Sequence, residues 1–239
     1  MKLEAKELSK AFKGRRVVSE VSISIDAGRA VGLLGPNGAG KTTTFYMIVG
    51  LISPDSGAIF LNGENLSYLP IYQRAQKGVG YLPQEPSVFR KLSVEENLFL
   101  VLDNLKISRK EKRGRAERVL SELGIERLAR QKAFTLSGGE RRRLEIARAL
   151  ILDPKFLLLD EPYAGIDPLA VQEIQGIVKG LKERKIGVVI TDHNVRETLS
   201  SCDTAYLIKD GKIWMHGTPQ EIVENEAARR FYLGEGFRL

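Results

Sequence analysis

The sequence lacks paired cysteines, long apolar runs and internal repeats. Cys202 is the single cysteine among 239 residues, so no disulfide can form within the chain, which fits a reducing compartment. No run of about 18 apolar residues occurs, so we expect no membrane-spanning helix. The first segment, MKLEAKELSKAF, alternates apolar and charged residues, unlike a signal or transit peptide. If the chain works at a membrane, we expect another protein to hold it there.

The composition is that of an ordinary soluble globular protein, with 43% hydrophobic and 28% charged residues. A length of 239 residues indicates one large domain, or one domain with an inserted subdomain. The net charge of +7 suits a phosphate ligand, a nucleic acid or an anionic membrane surface. A generally basic cytosolic protein would carry the same charge, so charge alone leaves these alternatives open.

The order of sequence patterns predicts an α/β core with a helical insertion. The first third alternates with period two, as strands do, and the apolar run AVGLLG precedes a helix that begins near Lys41. The middle of the chain is charged, arginine-rich and helical in pattern, and the buried strands KFLLLD and IGVVIT follow it. We therefore expect a core and an inserted helical subdomain with these approximate bounds: core, 1–84 and 153–239; helical subdomain, 85–152.

Residues 35–42 read GPNGAGKT, the pattern of a phosphate-binding loop between a strand and a helix. Glycines let the backbone approach a phosphate, and the N–H groups of the helix N-terminus direct positive charge toward it. Lys41 can reach β- and γ-phosphates, Thr42 can bind Mg²⁺, and Thr43 can add a hydrogen bond. A glycine-rich turn before a capped helix is the alternative, which the register of the lysine and threonine disfavours. The predicted phosphate-binding residues are Gly35, Pro36, Asn37, Gly38, Ala39, Gly40, Lys41, Thr42 and Thr43.

A second pattern, FLLLDE at residues 156–161, ends a predicted buried strand with two acids. Beside the phosphate loop, Asp160 can hold Mg²⁺ through water, and Glu161 can polarise a water for attack on the γ-phosphate. Phosphoryl transfer needs positioning and charge neutralisation, to which a general base adds roughly 10²–10⁴-fold. A solvent-facing acidic strand end is the alternative, which the upstream phosphate loop disfavours.

A third pattern, TLSGGERRR at residues 135–143, opens a predicted helix over 138–152. Ser137 and Glu140 have capping-box spacing, so a simple glycine-tolerant helix start is one interpretation. The exposed N–H groups, the hydroxyl and the two glycines also predict a second anion site, which could serve the nucleotide of another copy. We expect the cluster from Arg141 to Arg143 to be a solvated face with one or two dimer or phosphate contacts.

These segments resemble, in order, the motifs of the ATP-binding subunits of ABC transporters. GPNGAGKT resembles the Walker A loop, LSGGE the family signature and FLLLDE the Walker B strand. Gln84 in YLPQEP resembles the Q-loop glutamine, Asp167 in AGIDP belongs to the segment that resembles the D-loop, and His193 in ITDHN resembles the switch histidine. The resemblance implies one ATP-binding domain over residues 1–239. Its implied fold is a P-loop NTPase (RecA-like) core with an N-terminal antiparallel β subdomain and an inserted helical subdomain.

The resemblance also implies ligands and roles. ATP and Mg²⁺ are the implied ligands, with Thr42, Gln84 and Asp160 close to the metal. In this family two subunits enclose two ATP molecules head to tail, so the implied partner is a second copy of the chain. The residues implied to contact that copy's ATP are Ser137, Gly138, Gly139 and Glu140, the first three of them at its γ-phosphate. The implied catalytic residues are Glu161, His193 and Gln84.

Single residues carry weaker signals. Phe12 matches the family position whose aromatic ring stacks on adenine, although many members carry tyrosine there. An ordinary half-exposed strand aromatic is the alternative. A lone histidine after a buried strand is more often structural, and the family pattern is what favours a catalytic His193. His216, Cys202 and Trp214 have no such support, and we expect them to be structural.

The segment after Gln84, EPSVFRKLSVEENL, carries apolar residues beside a loop and resembles the family's docking region for a membrane subunit. We predict a partner groove formed by Val88, Phe89, Arg90 and Leu92, with packing inside the helical subdomain as the alternative. The resemblance implies two transmembrane permease subunits as partners. It also implies a cytoplasmic location, peripheral on the cytoplasmic face of the inner membrane.

Two further segments indicate the class of transported substrate. GYLPQEPSVFRKLSVEENL and the terminal FYLGEGFRL are similar to the ATPases of lipopolysaccharide export in Gram-negative bacteria. The ATPases of branched-chain amino-acid importers are the nearest alternative. A soluble ABC-type ATPase acting on DNA or ribosomes is less favoured, because such members usually carry a coiled-coil insertion or two cassettes and this chain has neither. We therefore expect no stable nucleic acid binding. A nucleotide sensor without hydrolysis is disfavoured because Glu161 and His193 are both present.

Overall fold

Ten strands and nine helices make up the computed structural model, which describes all residues from 1 to 239. The strands are β1 Lys2–Phe12, β2 Arg15–Asp26, β3 Ala30–Leu34, β4 Ser56–Leu61, β5 Glu64–Asn65, β6 Val79–Leu82, β7 Phe156–Asp160, β8 Gly187–Thr191, β9 Thr204–Lys209 and β10 Lys212–Gly217. The helices are α1 Lys41–Val49, α2 Ile71–Gln76, α3 Val94–Leu102, α4 Arg109–Glu122, α5 Gly138–Leu150, α6 Pro168–Glu183, α7 Val195–Ser201, α8 Pro219–Glu224 and α9 Glu226–Ala228. Short 3₁₀ turns occur at Glu126–Leu128 and Ala133–Thr135, and a π-helical turn at Arg229–Leu233 follows α9.

An antiparallel sheet of four strands, in the order β2-β1-β4-β5, contains the N-terminal part of the chain. Its alternating apolar residues point into the core, as Leu3, Ala5, Ile23 and Ile25 do, so the strands predicted from period-two alternation are confirmed. The pairing of β1 with β2 shifts register near Glu7, whose φ of 52° lies in the left-handed region.

A second sheet of six strands has the order β10-β9-β3-β8-β7-β6. Every neighbouring pair is parallel except the hairpin of β9 and β10, which turns at Asp210–Gly211. All residues of β3, β7 and β8 are buried, because both faces of the strands are covered, and this explains their near-continuous apolar sequences. The carboxyl ends of β3, β6, β7 and β8 share one edge of the sheet, where ligands of such folds bind.

Three helices, α3, α4 and α5, stand between β6 and β7 in the chain. The capping box predicted at Ser137 is confirmed, and Ser93 forms a second one at the start of α3. Ser108 accepts from the N–H of Glu111 without the reciprocal bond. Apolar residues of these helices form one continuous core with the sheet, as Leu144 and Leu157 illustrate. The bounds of 85–152 for a helical subdomain remain our proposal. None of the nine helices combines the length and the apolar character that crossing a membrane requires.

Candidate active site

The loop between β3 and α1 has glycines where a side chain could not fit. A Cβ on Gly35, whose φ is 152°, would lie 2.1 Å from the carbonyl oxygen of Ile208. A Cβ on Gly40, whose φ is 105°, would lie 2.8 Å from the carbonyl oxygen of Val17. The loop is therefore pressed against its neighbours from behind, and only glycine permits this path.

The N-terminus of α1 carries donors that have no partner in the chain. No side chain caps the helix, and the first bond into it runs from the N–H of Thr44 to the carbonyl of Gly40, at 2.9 Å. The N–H groups of Lys41, Thr42 and Thr43 are left without an acceptor, which is the arrangement that binds anions at helix N-termini. A cleft of about 160 Å³ opens there, lined by Val17, Asn37, Gly38, Gly40, Lys41, Thr42, Thr43 and Glu161.

The ammonium group of Lys41 is half-buried against the same loop. Its Nζ donates to the carbonyl oxygens of Gly35, at 2.6 Å, and Pro36, at 3.0 Å. Burial lowers the pKa of Lys41, and the negative charges of Glu161 and Asp160 oppose this shift. A phosphate would supply the missing counter-charge at hydrogen-bond distance, so the loop fits the phosphates of a nucleotide.

The two acids that end the FLLLDE strand point in different directions because the backbone turns between them. Asp160 is the last residue of β7 and pairs with Thr191 of β8. Glu161 adopts a φ of 47°, in the left-handed region that residues with a side chain rarely occupy, and its N–H donates to the carbonyl of Thr191 at 2.7 Å. Strain of this kind is characteristic of functional sites.

Asp160 lies in the interior and is 2% exposed. Its Oδ2 accepts a hydrogen bond of 3.2 Å from the hydroxyl of Tyr81. Burial raises the pKa of Asp160 to about 6, against its ordinary value of 3.8, and the hydrogen bond from Tyr81 and the charge of Arg142 oppose this shift only in part. This environment favours the arrival of a cation.

Three residues predicted to be catalytic meet at one carboxylate oxygen. Gln84, just beyond β6, donates from Nε2 to Oε2 of Glu161 at 2.8 Å. His193, just beyond β8, places Nδ1 3.4 Å from the same oxygen. The loop of His193 is shaped by the buried Asp192, which accepts from the N–H groups of Tyr163 and Asn194, both at 2.9 Å. The motif pattern identified His193 without revealing that Asp192 holds its loop.

The residues predicted to surround a metal fit Mg²⁺ only together with a nucleotide. No group of three His, Cys, Asp or Glu side chains in the chain could hold a metal ion. Mg²⁺ is normally bound by one or two protein oxygens, by waters and by substrate phosphates. Asp160 and the exposed Thr42 supply oxygens of this kind, and Gln84 adds an amide oxygen, since the bond to Glu161 uses only its nitrogen Nε2.

The mouth of α5 forms the reciprocal cap that was predicted for Ser137 and Glu140. The N–H of Ser137 donates to Oε2 of Glu140 at 3.0 Å, and this bond lowers the pKa of the carboxyl group. The two glycines between them differ in role. A Cβ on Gly138 would meet no atom closer than 4.0 Å, whereas one on Gly139 would lie 3.0 Å from the Cβ of Ala170. Gly138 leaves an open approach for a ligand, whereas Gly139 allows the close packing of α5 on α6.

The expectation of a solvated arginine cluster is wrong for its middle residue. The side chain of Arg142 is 8% exposed and forms an ion pair of 2.9 Å with Glu145. Arg142 also donates to the backbone carbonyls of Pro83, Asp160 and Glu161, at 3.0, 3.1 and 3.1 Å. One guanidinium thus connects α5, the segment before Gln84 and the end of β7. Arg143 is also shielded, with its side chain 15% exposed and paired with Glu173.

Two other predicted residues lie at the surface. Asp167 caps α6, since its side chain accepts from the N–H of Ala170 at 3.0 Å. Phe12 ends β1 with 46% of its surface exposed, and the ammonium of Lys10 lies 5.8 Å from its ring. An exposed ring on this edge is available for stacking.

The four residues predicted to form a partner groove differ in exposure. Phe89 is 48% exposed and Arg90 is exposed, whereas Val88 packs against the helical core and Leu92 is half-buried. The guanidinium of Arg148 lies 5.0 Å from the Phe89 ring. A groove of about 200 Å³ exists nearby. It is lined mainly by residues of α2, β6, α3 and α5, together with Pro83, Ser87 and Leu152.

Comparisons with known proteins agree with this geometry. The sequence matches the ABC transporter family over residues 18–164. The chain belongs to this family. It is an ATPase of the ATP-binding cassette type, which confirms the resemblance seen in the motifs, the predicted enzyme class and the binding of ATP or ADP.

Individual relatives extend the match over the whole length. The chain is 54% identical to the lipopolysaccharide export system ATP-binding protein LptB of Escherichia coli (strain K12) over 240 residues, covering 99% of each chain. The fold of this ABC ATPase matches the ADP conformation of MJ1267, an ATP-binding cassette of an ABC transporter, with a TM-score of 0.88 and 26% identity over 98% of this chain and 100% of that one. It also matches the ATP-binding cassette MJ0796 in a dimeric post-hydrolysis state bound to ADP and Pi, with a TM-score of 0.79 and 26% identity over 91% and 98%. The predicted fold class is thereby confirmed.

Proposed function

We propose that this ATPase couples ATP binding and hydrolysis to the extraction of lipopolysaccharide from the inner membrane, for export to the outer membrane. The observation that carries the proposal is the end-to-end likeness to LptB, with 54% identity over 99% of both chains. The catalytic motifs do not discriminate between transported substrates. The likeness to LptB also includes the segment after Gln84 and the C-terminal tail. These parts lie outside the motifs, so they can discriminate between transported substrates.

In the proposed reaction, residues of the chain bind the phosphates, orient the catalytic carboxylate and remove a proton from the attacking water. The open N–H groups of Lys41, Thr42 and Thr43 bind the phosphates, and the Lys41 ammonium moves from its backbone carbonyls to the β- and γ-phosphates. Glu161 accepts the proton of the attacking water, and Gln84 and His193 orient its carboxylate. Mg²⁺ bound with the nucleotide would neutralise phosphate charge, with Asp160 and Thr42 on its protein side.

The catalytic assignment has a direct test in the variant Glu161→Gln. The amide keeps the size of the side chain but cannot accept the proton, so we expect ATP binding to be retained and turnover to be lost. The variant should also accumulate as a closed dimer with ATP, which size-exclusion chromatography would detect. Normal ATP hydrolysis by this variant would show that the base is another group.

We further propose that the signature residues act on the ATP of a second copy. The open approach at Gly138 and the dimeric state of the related MJ0796 cassette support this arrangement. Subunits with Ser137→Arg and subunits with Lys41→Ala should each be inactive alone. Their mixture should recover part of the activity, because each mixed dimer retains one intact site. A mixture that stays as inactive as its components, or that reaches the full wild-type rate, would contradict the model.

The proposed partners are two permease subunits, with the chain held on the cytoplasmic face of the inner membrane. Exposed Phe89, with Arg148 stacked on it, is the best-presented contact for a permease in this region. Affinity purification of the chain from native membranes, followed by identification of the bound proteins, tests this. Permeases of the lipopolysaccharide export type are expected. Amino-acid import permeases would leave the ATPase mechanism intact but would contradict the proposed substrate.

A further inference from the structure

The C-terminal segment contacts the phosphate loop across 197 positions of sequence. The hydroxyl of Tyr232 accepts a hydrogen bond from the backbone N–H of Gly35, with an N···O distance of 3.0 Å. Tyr232 lies in the π-helical turn that follows α9, well outside the six motifs. Burial raises the pKa of Tyr232, so its hydroxyl stays neutral at physiological pH.

The turn that carries Tyr232 is firmly built. The N–H of Gly234 donates to the carbonyl of Arg229 at 2.8 Å, and the Arg229 side chain donates to the carbonyl of Glu235. Tyr232, Leu233 and Phe237 pack against a buried apolar cluster under the end of β3, formed by Leu34, Leu199, Ala205, Leu207, Ile222 and Ala228. The hydroxyl is therefore presented to Gly35 from a fixed base.

Gly35 is held on both sides of its α-carbon. Its N–H donates to Tyr232, and its carbonyl accepts from the Nζ of Lys41 at 2.6 Å. When the Lys41 ammonium turns to a phosphate, the bond to the carbonyl is given up. The bond from Tyr232 does not depend on Lys41 and remains available.

We propose that Tyr232 is a positioning residue for the phosphate loop. Its hydroxyl fixes the backbone at Gly35 while the Lys41 ammonium gives up its bonds to backbone carbonyls and binds nucleotide phosphates instead. Without this bond the binding-competent loop is one of several conformations, and the apparent dissociation constant rises as the populated fraction falls. The inference rests on the assignment of residues 35–43 as the nucleotide's phosphate loop.

The test compares Tyr232→Phe with Tyr206→Phe. Phenylalanine keeps the ring and its packing at both positions and removes one hydroxyl. Tyr206 is the matched control, because its hydroxyl also accepts from a backbone N–H, that of Ser24 at 3.2 Å, and it contacts no phosphate-loop residue through that group. Isothermal titration with ADP and Mg²⁺ measures binding without hydrolysis. We expect the dissociation constant to rise about three- to ten-fold for Tyr232→Phe, the factor for one hydrogen bond of ordinary net strength, and to stay unchanged for Tyr206→Phe.

Amide exchange of the protein without nucleotide gives a second readout. The Gly35 N–H should exchange about ten-fold faster in Tyr232→Phe, and should keep its wild-type rate in Tyr206→Phe. A dissociation constant for Tyr232→Phe within two-fold of wild type would overturn the proposal, as would an equal weakening in both variants. Lys41→Ala separates the two levels of the argument. Normal ADP binding by Lys41→Ala would refute the phosphate-loop assignment itself. If Lys41→Ala loses ADP binding while Tyr232→Phe binds ADP normally, only the role of Tyr232 is refuted.

Discussion

Replacing Arg142 by methionine should damage stability and catalysis through different contacts. The methionine keeps most of the apolar stem but leaves Glu145, whose side chain is 3% exposed, as a buried charge without its cation. Breaking a buried ion pair in this way costs about 3–5 kcal/mol of unfolding free energy. The carbonyls of Pro83 and Glu161 also lose their donor, so the backbone that carries the catalytic carboxylate loses one of its supports. A misplacement of about 1 Å can lower turnover by about 10²-fold.

Two further variants separate these effects. Arg142→Met combined with Glu145→Met removes both charges and should recover most of the stability, because buried pairs replaced by apolar residues are often neutral. Turnover should stay low, since the carbonyls remain without a donor. Glu145→Gln should destabilise the protein and yet keep turnover within a few-fold, because Arg142 retains its bonds to Pro83 and Glu161. Urea unfolding and steady-state ATP hydrolysis measure the two quantities. Full recovery of turnover in the double variant would refute the positioning of Glu161 by Arg142.

Three further predictions concern residues at the edges of the site. Arg74 is 1% exposed and its guanidinium donates only to backbone carbonyls, including two near the end of α1, so Arg74→Met should lower the unfolding free energy by about 3 kcal/mol or more in urea. The pKa of Asp160 is about 6 in the fold against an ordinary 3.8, so its ionisation opposes folding. The unfolding free energy of wild type without nucleotide, relative to Asp160→Asn, should therefore rise as pH falls from 7 to 4, by at most about 3 kcal/mol; a pH-independent difference would contradict the shift. Phe12→Ala should weaken ATP binding about five-fold or more and Phe12→Tyr should not, as measured by titration, whereas equal binding by both would exclude stacking on adenine.

The sequence predicts much of the site because its motifs follow strands that are recognisable by their apolar runs. FLLLDE and IGVVIT are buried on both faces, so their length and composition identify them as parallel strands. Parallel strands bring their carboxyl ends to one edge, and this alone predicts that the residues after β7 and β8 are neighbours. The contacts of Glu161 with Gln84 and His193 confirm that juxtaposition.

Other parts of the site leave no mark on the sequence, because the partners are backbone groups. Arg142 stands in a run of three arginines that looks solvated, and its acceptors include backbone carbonyls, which every residue has and which therefore leave no pattern in the sequence. The same holds for Tyr232, whose partner is the N–H of Gly35. Gly139 looks like a ligand-binding glycine, yet the structure gives it a packing role against Ala170, which only the crossing of two helices reveals.

One face of α5 connects the signature, the segment after β6 and the catalytic carboxylate. Arg142, Glu145 and Arg148 follow at helical spacing. Arg142 bonds the carbonyl of Pro83, and Glu145 accepts from the N–H of Ser87 at 3.1 Å while Arg148 donates to the carbonyl of the same residue. The segment from Pro83 to Ser87, which leads to Phe89, is thus held at both ends by the helix whose mouth carries Ser137. Because Arg142 also donates to the carbonyl of Glu161, its guanidinium links that segment to the catalytic residue. The helix α5 therefore contacts Phe89 through Arg148 and Glu161 through Arg142, and it carries Ser137 at its N-terminus.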